Sequence, residues 1–150
     1  MAVTTSDIIG FIEKLEDDSS KLYYEMAEKY PCQKDIFLKY AEECEKSKIL
    51  VTRTYQETIT DALEACFSFK GLELEEHKIE IYVPKKTSFA EDLKRAIGME
   101  EKVIKFYEEV IECSRGLLAT IPNAFKKAAK IRSRRALELE KLKTLQLFRH

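Results

Sequence analysis

The sequence predicts an all-α protein built as a four-helix bundle, and three observations carry that prediction. Apolar residues recur at three- and four-residue steps along four long stretches, the period of one helical face. Only four Gly, three Pro and no Trp stand among 150 residues, beside 45% hydrophobic and 35% charged residues, a balance that favours helices. Two of the predicted connections are short and the middle one is long, so two helical hairpins are joined by a crossover. A chain of 17.5 kDa has the size of one domain, expected to span residues 1–150, and can bury about 70% of its unfolded surface.

The first helix is expected from about Ser6 to Tyr30, on the stripe Ile8, Phe11, Ile12, Leu15, Leu22, Met26, and Pro31 closes it. The second follows from Asp35 to Phe69 on Phe37, Ala41, Cys44, Val51, Tyr55, Ile59, Ala62 and Cys66, with Gly71 as its stop. From Leu72 to Thr87 the helical period disappears, and Lys78 to Val83 alternates like a strand that Pro84 ends. Ser88-Phe89-Ala90-Glu91 reads as a capping box opening the third helix, whose inward face carries Phe89, Leu93, Ala96, Val103, either Phe106 or Tyr107, and Val110. Gly98 in that helix reads as a close-packing position. The fourth helix starts between Thr120 and Asn123, with Pro122 in its first turn, and carries Phe125, Ala128, Ile131, Leu139, Leu142 and Leu145.

An internal repeat supports the two-hairpin arrangement. An offset of 84 residues lays Glu16, Lys21, Tyr23, Glu25 and Glu28 on Glu100, Lys105, Tyr107, Glu109 and Glu112. An offset of 87 aligns Ala41 with Ala128 and Leu50 with Leu137, which carries Glu45 onto Arg132 and Lys48 onto Arg135. Pseudo-two-fold symmetry of this kind would set positions 16 and 100 facing each other across the bundle.

Charge excludes some functions. A formal net charge of −1 and a pI near 6.2 give the whole molecule no pull toward nucleic acid or an anionic membrane. No run approaches the roughly 18 apolar residues of a membrane span, and the N-terminus lacks a signal-peptide pattern, so a cytoplasmic location is expected. Cys32, Cys44, Cys66 and Cys113 form no Cys-x-x-Cys pair and have no His nearby, which argues for apolar thiols and against a zinc knuckle. One Asn and three Gln beside abundant Lys and Glu fit a heat-adapted source. His77, amid Glu73, Glu75, Glu76 and Glu80, reads as a surface residue.

Charged residues that interrupt the apolar stripes mark a candidate site. Lys48 breaks the 37, 41, 44, 48, 51 series of the second helix, with Glu45 on the same flank; Glu100 breaks the third helix's series, and Glu16 edges the first. In the fourth helix Arg132 and Arg135 interrupt the stripe. They read either as inward or as swung out along the flank, joining Lys126, Lys127, Lys130 and Arg134 in a basic face. Tyr23 and Tyr107, two turns beyond the matched glutamates, read as core aromatics whose hydroxyls need partners.

These stretches, Ile12 to Glu28, Tyr40-Ala41-Glu42-Glu43-Cys44-Glu45-Lys46-Ser47-Lys48, and Ala96 through Glu109, resemble the ferritin-like superfamily, most closely its rubrerythrin-like branch. The resemblance implies a bundle that holds two metal ions, usually iron, with a Glu from the first and third helices and Glu-x-x-His from the second and fourth. Glu16 and Glu100 match the single-Glu positions and Glu45 the Glu of the second helix. Lys48 stands in place of a His, and Arg132 and Arg135 in place of Glu and His, so the two-metal site reads as lost.

Three carboxylates against three cations then predict an internal ion-pair network without metal, in a non-catalytic binding or structural protein that acts as a homodimer or with an unknown protein partner. Two alternatives stay open. One is an oxidase or peroxide-handling protein that keeps iron or manganese on Glu16, Glu45 and Glu100. The other is a module that binds an acidic or phosphate-bearing partner through Lys126, Lys127 and Lys130.

Overall fold

A computed structural model describes residues 3–58, 68–69, 73–79, 82–113 and 120–148. The protein is an all-α four-helix bundle: α1 (Thr5–Lys29), α2 (Lys34–Thr58), α3 (Phe89–Cys113) and α4 (Thr120–Phe148). Each helix is at least 25 residues long, about 37 Å at 1.5 Å per residue. A turn of 3₁₀ helix, Pro31–Gln33, separates α1 from α2, because proline in the first turn needs no donor and its fixed φ suits a tight reversal. Ser88 caps α3: its Oγ accepts from Glu91 N at 3.1 Å, and its carbonyl accepts from Asp92 N at 3.0 Å.

Inter-helix contacts fix the topology. Lys48 meets Asp17 and Tyr23 meets Tyr40, so α1 and α2 run antiparallel. Glu100 meets Arg132 and Tyr107 meets Phe125, so α3 and α4 do the same. Between the hairpins, Phe11 packs on Phe106 and Lys29 pairs with Asp92, which makes α1 and α3 antiparallel neighbours, while Tyr40 reaches Glu138 across α2 and α4. The order is therefore up-down-down-up, with the long connection carrying the chain from the end of α2 to the start of α3.

The core takes Ile8, Ile12, Leu15, Leu22 and Met26 from α1, Phe37, Tyr40, Ala41 and Val51 from α2, and Leu93, Ala96, Val103 and Phe106 from α3. From α4 come Phe125, Ala128 and Leu139, but the expected stripe fades beyond them: Leu142 is half-buried and Leu145 exposed. Gly98 is exposed, and a Cβ built on it would meet nothing within 4 Å, so it serves no close helix approach.

The second helix does not continue to Phe69. Ser68–Phe69 is extended and pairs antiparallel with Val3–Thr4. The stripe positions Ile59, Ala62 and Cys66 lie outside the described residues. In the connection, Lys78, Ile79, Tyr82 and Val83 are not in a strand; Glu80 and Ile81 lie outside the described residues. Instead Leu74–His77 forms a 3₁₀ turn that drives His77 inward. His77 is buried, its ring lies 5.1 Å from that of Phe106, and its Nε2 sits 2.8 Å from Glu109 Oε2. The surface position read from its acidic neighbours is thus wrong, because Phe106 offers an apolar seat and Glu109 a partner for the imidazole nitrogen.

The far end of the connection is tied down by Asp92, which is buried. Lys29 Nζ donates to its Oδ2 at 2.7 Å and Thr87 to its Oδ1 at 2.5 Å, and the Tyr30 hydroxyl adds a third bond. Lys29 also donates to the Pro84 carbonyl at 2.6 Å, so one ammonium joins α1, α3 and the connection. Among the described residues no helix is long and apolar enough to cross a membrane.

Candidate functional site

The centre of the bundle holds four charged side chains, each no more than 1% exposed: Glu16, Glu100, Arg132 and Arg135. Burying charge this fully is tolerable when each ion is paired with an opposite charge. Arg132 does the central work. Its Nη1 donates to Glu100 Oε2 at 3.1 Å, while Nη2 and Nε donate to Glu16 Oε1 at 2.6 and 3.1 Å, so one guanidinium bridges the two carboxylates. Nη2 also reaches Ser19 Oγ at 2.9 Å, and Ser19 in turn donates to the Leu15 carbonyl.

Arg135 lies beside it, one turn along α4. Its Nη1 donates to Glu100 Oε1 at 2.9 Å and to Cys44 Sγ at 3.3 Å, and its Nε faces the half-buried Glu43 at 3.4 Å. The guanidinium carbon stands 5.6 Å from the ring centres of both Tyr23 and Tyr40, within cation–π range. The two tyrosines matched by the repeat close the site: Tyr23 donates to Glu100 Oε1 at 2.5 Å and Tyr107 donates to Glu16 Oε1 at 3.2 Å.

The electrostatics follow from these contacts. Burial pushes the Glu100 carboxyl up, but Arg132 and Arg135, with the hydroxyl of Tyr23, hold it below the ordinary carboxylate range. Burial opposes the charge on Arg132 too, and the two carboxylates overcome it, holding the guanidinium well above its usual value. Burial and the adjacent Glu100 raise Tyr23 well above its ordinary value; burial and Glu16 do the same for Tyr107, so both phenols act as neutral donors. Cys44 is pushed up to about 12 by burial, against the pull of both arginines, and stays a thiol.

The structure brings together Glu16, Tyr23, Glu100, Tyr107, Arg132 and Arg135. It leaves out Glu45 and Lys48. Glu45 is exposed and accepts from Tyr24 at 3.2 Å, and Lys48 is half-buried at the surface, paired with Asp17 at 2.9 Å. The reason is a slip of one residue in the second half of the repeat. An offset of 88 sets the buried residues Phe37, Tyr40, Cys44, Ser47 and Val51 on the buried residues Phe125, Ala128, Arg132, Arg135 and Leu139. The rings agree, since Tyr23 lies 6.4 Å from Phe37 and Tyr107 lies 6.5 Å from Phe125. One residue turns a helical side chain by about 100°, enough to take Glu45 and Lys48 off the core face and put Cys44 and Ser47 on it.

Lys126, Lys127 and Lys130 are exposed, so the basic segment divides: its lysines face solvent, Arg132 and Arg135 face the core, and Arg134 pairs at the rim with Glu43 and Glu138. Cys32 is exposed, Cys44 buried and Cys113 half-buried.

A pair of metal ions does not fit these residues. The Arg132 guanidinium fills the space between the two carboxylates that would have to hold them, and three of the four carboxylate oxygens are already taken by Arg or Tyr donors. The exception is Glu16 Oε2, which has no partner among the described residues. Among those residues no three His, Cys, Asp or Glu side chains converge as metal ligands. Comparison of the chain with protein-family models, with curated proteins and with solved structures gives no significant match in any of the three, so the chemistry of the site is read from its own residues.

Proposed function

We propose that the chain is a ferritin-like bundle in which two guanidinium groups stand in for two metal cations, and that it acts as a non-catalytic structural or binding protein. The single observation that carries this reading is Arg132 bridging Glu16 and Glu100 in the core. In the ferritin-like frame, Glu16 and Glu100 keep the single-Glu positions. The offset of 88 puts Cys44 and Ser47, with Arg132 and Arg135, where two Glu-x-x-His pairs would stand. Two carboxylates and two guanidiniums are electrically balanced, which removes the repulsion that two buried carboxylates alone would suffer. The thiol of Cys44 and the hydroxyl of Ser47 leave room on α2 for the two large side chains that α4 sends across, so the exchange conserves volume as well as charge.

The up-down-down-up order, the long connection between hairpins and the 84-residue repeat support the ferritin-like part of the reading. The Arg132 bridge supports the non-catalytic part, since a molecule reacting at Glu16 and Glu100 would have to displace a guanidinium from two carboxylates. The test is elemental analysis of protein purified without chelator from cells supplied with iron and manganese. Metal far below one equivalent per folded chain is the expected result. Near-stoichiometric metal that is lost in the Glu16→Gln and Glu100→Gln proteins would overturn the proposal in favour of an oxidase.

A further inference from the structure

We infer that a second copy of this chain docks on the outer face of the α1–α2 hairpin, with the two-fold axis running along the groove between those helices. That groove contains two hollows. The one near the hairpin turn, about 340 Å³, is lined by Tyr24, Pro31 and Leu38 and rimmed by Glu28 and Lys34. The one at the opposite end, about 240 Å³, is lined by Ile49 and Thr52 and rimmed by Glu13 and Arg53.

Tyr24 and Ile49, 40% and 49% exposed, are large apolar groups left in solvent on this face. The crossover around His77, Lys78 and Pro84 runs elsewhere, since His77 meets Glu109, Lys102 meets the Lys78 carbonyl and Lys29 meets the Pro84 carbonyl, all on the α1–α3 side.

Charge selects both the occupant and its orientation. Glu28, Lys34, Glu13 and Arg53 have no ion-pair partner among the described residues; between the two ends, Lys48 pairs with Asp17 and Glu45 accepts a hydrogen bond from Tyr24. Acid lies on α1 and base on α2 at both ends. A two-fold axis along the groove sets α1 of one copy over α2 of the other at equal height. Glu28 then meets the partner's Lys34, Glu13 meets the partner's Arg53, and Tyr24 comes within a turn of the partner's Leu38.

An axis across the groove would instead set Glu28 over the partner's Glu13 and Lys34 over the partner's Arg53, like charges throughout. An isologous contact must be self-complementary, and this face is so in one orientation and not in the other. The inference does not depend on the core network, and its failure would leave the proposed function untouched.

Sedimentation equilibrium of the full chain tests it. The native protein is expected to be a dimer at micromolar concentration, and Glu28→Lys to raise the dissociation constant at least about tenfold. The double variant Glu28→Lys with Lys34→Glu, which exchanges the charges and rebuilds both pairs, should return it to within about threefold of the native value. Ile49→Arg should dissociate the dimer whatever the charges, with the helical circular dichroism of the fold retained. A native protein that stays monomeric at ~200 µM, a dimer indifferent to Glu28→Lys and Ile49→Arg, or a double variant no better than the single one would each overturn it.

Discussion

Tyr23 donates to Glu100 at 2.5 Å, and the same relation recurs with the roles exchanged, since Tyr107 donates to Glu16 at 3.2 Å. Each partner lies 84 residues from its counterpart, so the two bonds are images of one another across the antiparallel pair of α1 and α3. The pseudo-two-fold axis passes between them, and the charges that break the symmetry come from α2 and α4. There one side supplies Cys44 and Ser47, the other Arg132 and Arg135. The first hairpin thus brings one buried negative charge and the second a net positive one. Only the pairing of unlike hairpins neutralises the core, which gives the network a role in specifying the fold even where it adds little stability.

Glu100→Gln leaves two buried guanidiniums with one buried counter-charge, Glu16, and the half-buried Glu43 at 3.4 Å from Arg135. A loss of about 3–5 kcal/mol is expected from chemical denaturation, because removing one partner exposes the cost of burying the others. A loss under ~1 kcal/mol would mean that the arginines find other partners and that the core charge is not coupled as the distances imply.

The pH dependence has a definite sign. Glu100 and Asp92 are both held below the ordinary carboxylate range: burial raises each, and its cationic and hydroxyl partners outweigh that. The unfolded chain therefore takes up these protons first as pH falls. The stability the two carboxylates contribute is complete above about pH 5–6 and is withdrawn as pH drops through their lower folded values. Urea midpoints measured from pH 7 to pH 3 should decline steadily below ~pH 5, and the decline should be shallower in Glu100→Gln. An equal slope in both proteins would remove Glu100 from the linkage.

Glu16 and Glu100 were legible in the sequence because five identities at one offset fix the α1–α3 register, and a carboxylate that breaks an apolar stripe at both equivalent positions stands out. Arg132 and Arg135 were visible as interruptions, but their direction was open, since a long arginine on a flank can reach water or core. Glu45 and Lys48 misled because two chance identities, Ala41 with Ala128 and Leu50 with Leu137, favoured an offset one residue short. Phe37 with Phe125 and Ala41 with Ala129 supported the correct one, and the buried side chains decide between them. His77 had no local signal at all, since its seat on Phe106 is made by residues distant in sequence.

The thiols should react in an order set by burial. Cys32 is exposed, while Cys44 is fully buried, accepts a hydrogen bond from Arg135 and is pushed up to about 12 by its surroundings. In native buffer an alkylating reagent should label Cys32 at the rate of an ordinary surface thiol, with Cys44 protected until the protein unfolds. Mass spectrometry of the digested protein reads both sites. Labelling of Cys44 under native conditions would show that the core opens locally.

Gly10 and Gly98 lie on exposed helix surface, with nothing within 4 Å of an added Cβ. Alanine at either position restricts the unfolded chain and costs nothing in the folded one, so each substitution should stabilise by about 0.5–1 kcal/mol. The two sites are on different helices and their effects should add. Destabilisation by Gly98→Ala would mean that the helix surface at this position is packed against another part of the chain.

Replacing the four charges together distinguishes stability from specificity. Glu16→Leu, Glu100→Leu, Arg132→Met and Arg135→Met remove the four ions at the centre of the bundle at nearly constant volume, so none of the four is left unpaired. The desolvation cost of four ions disappears with their attraction, and the quadruple variant should be within about 2 kcal/mol of the native protein or more stable than it, in contrast to the single Glu100→Gln. The hydroxyls of Tyr23 and Tyr107 lose their acceptors in that background, and Phe at both positions should recover part of any loss. If the apolar core is stable but the chain populates more than one hairpin pairing, seen as doubled or broadened amide resonances, the charges act as the selector of a single arrangement. If it is stable and uniquely folded, packing alone specifies the bundle, and the retained charges must answer to something other than folding.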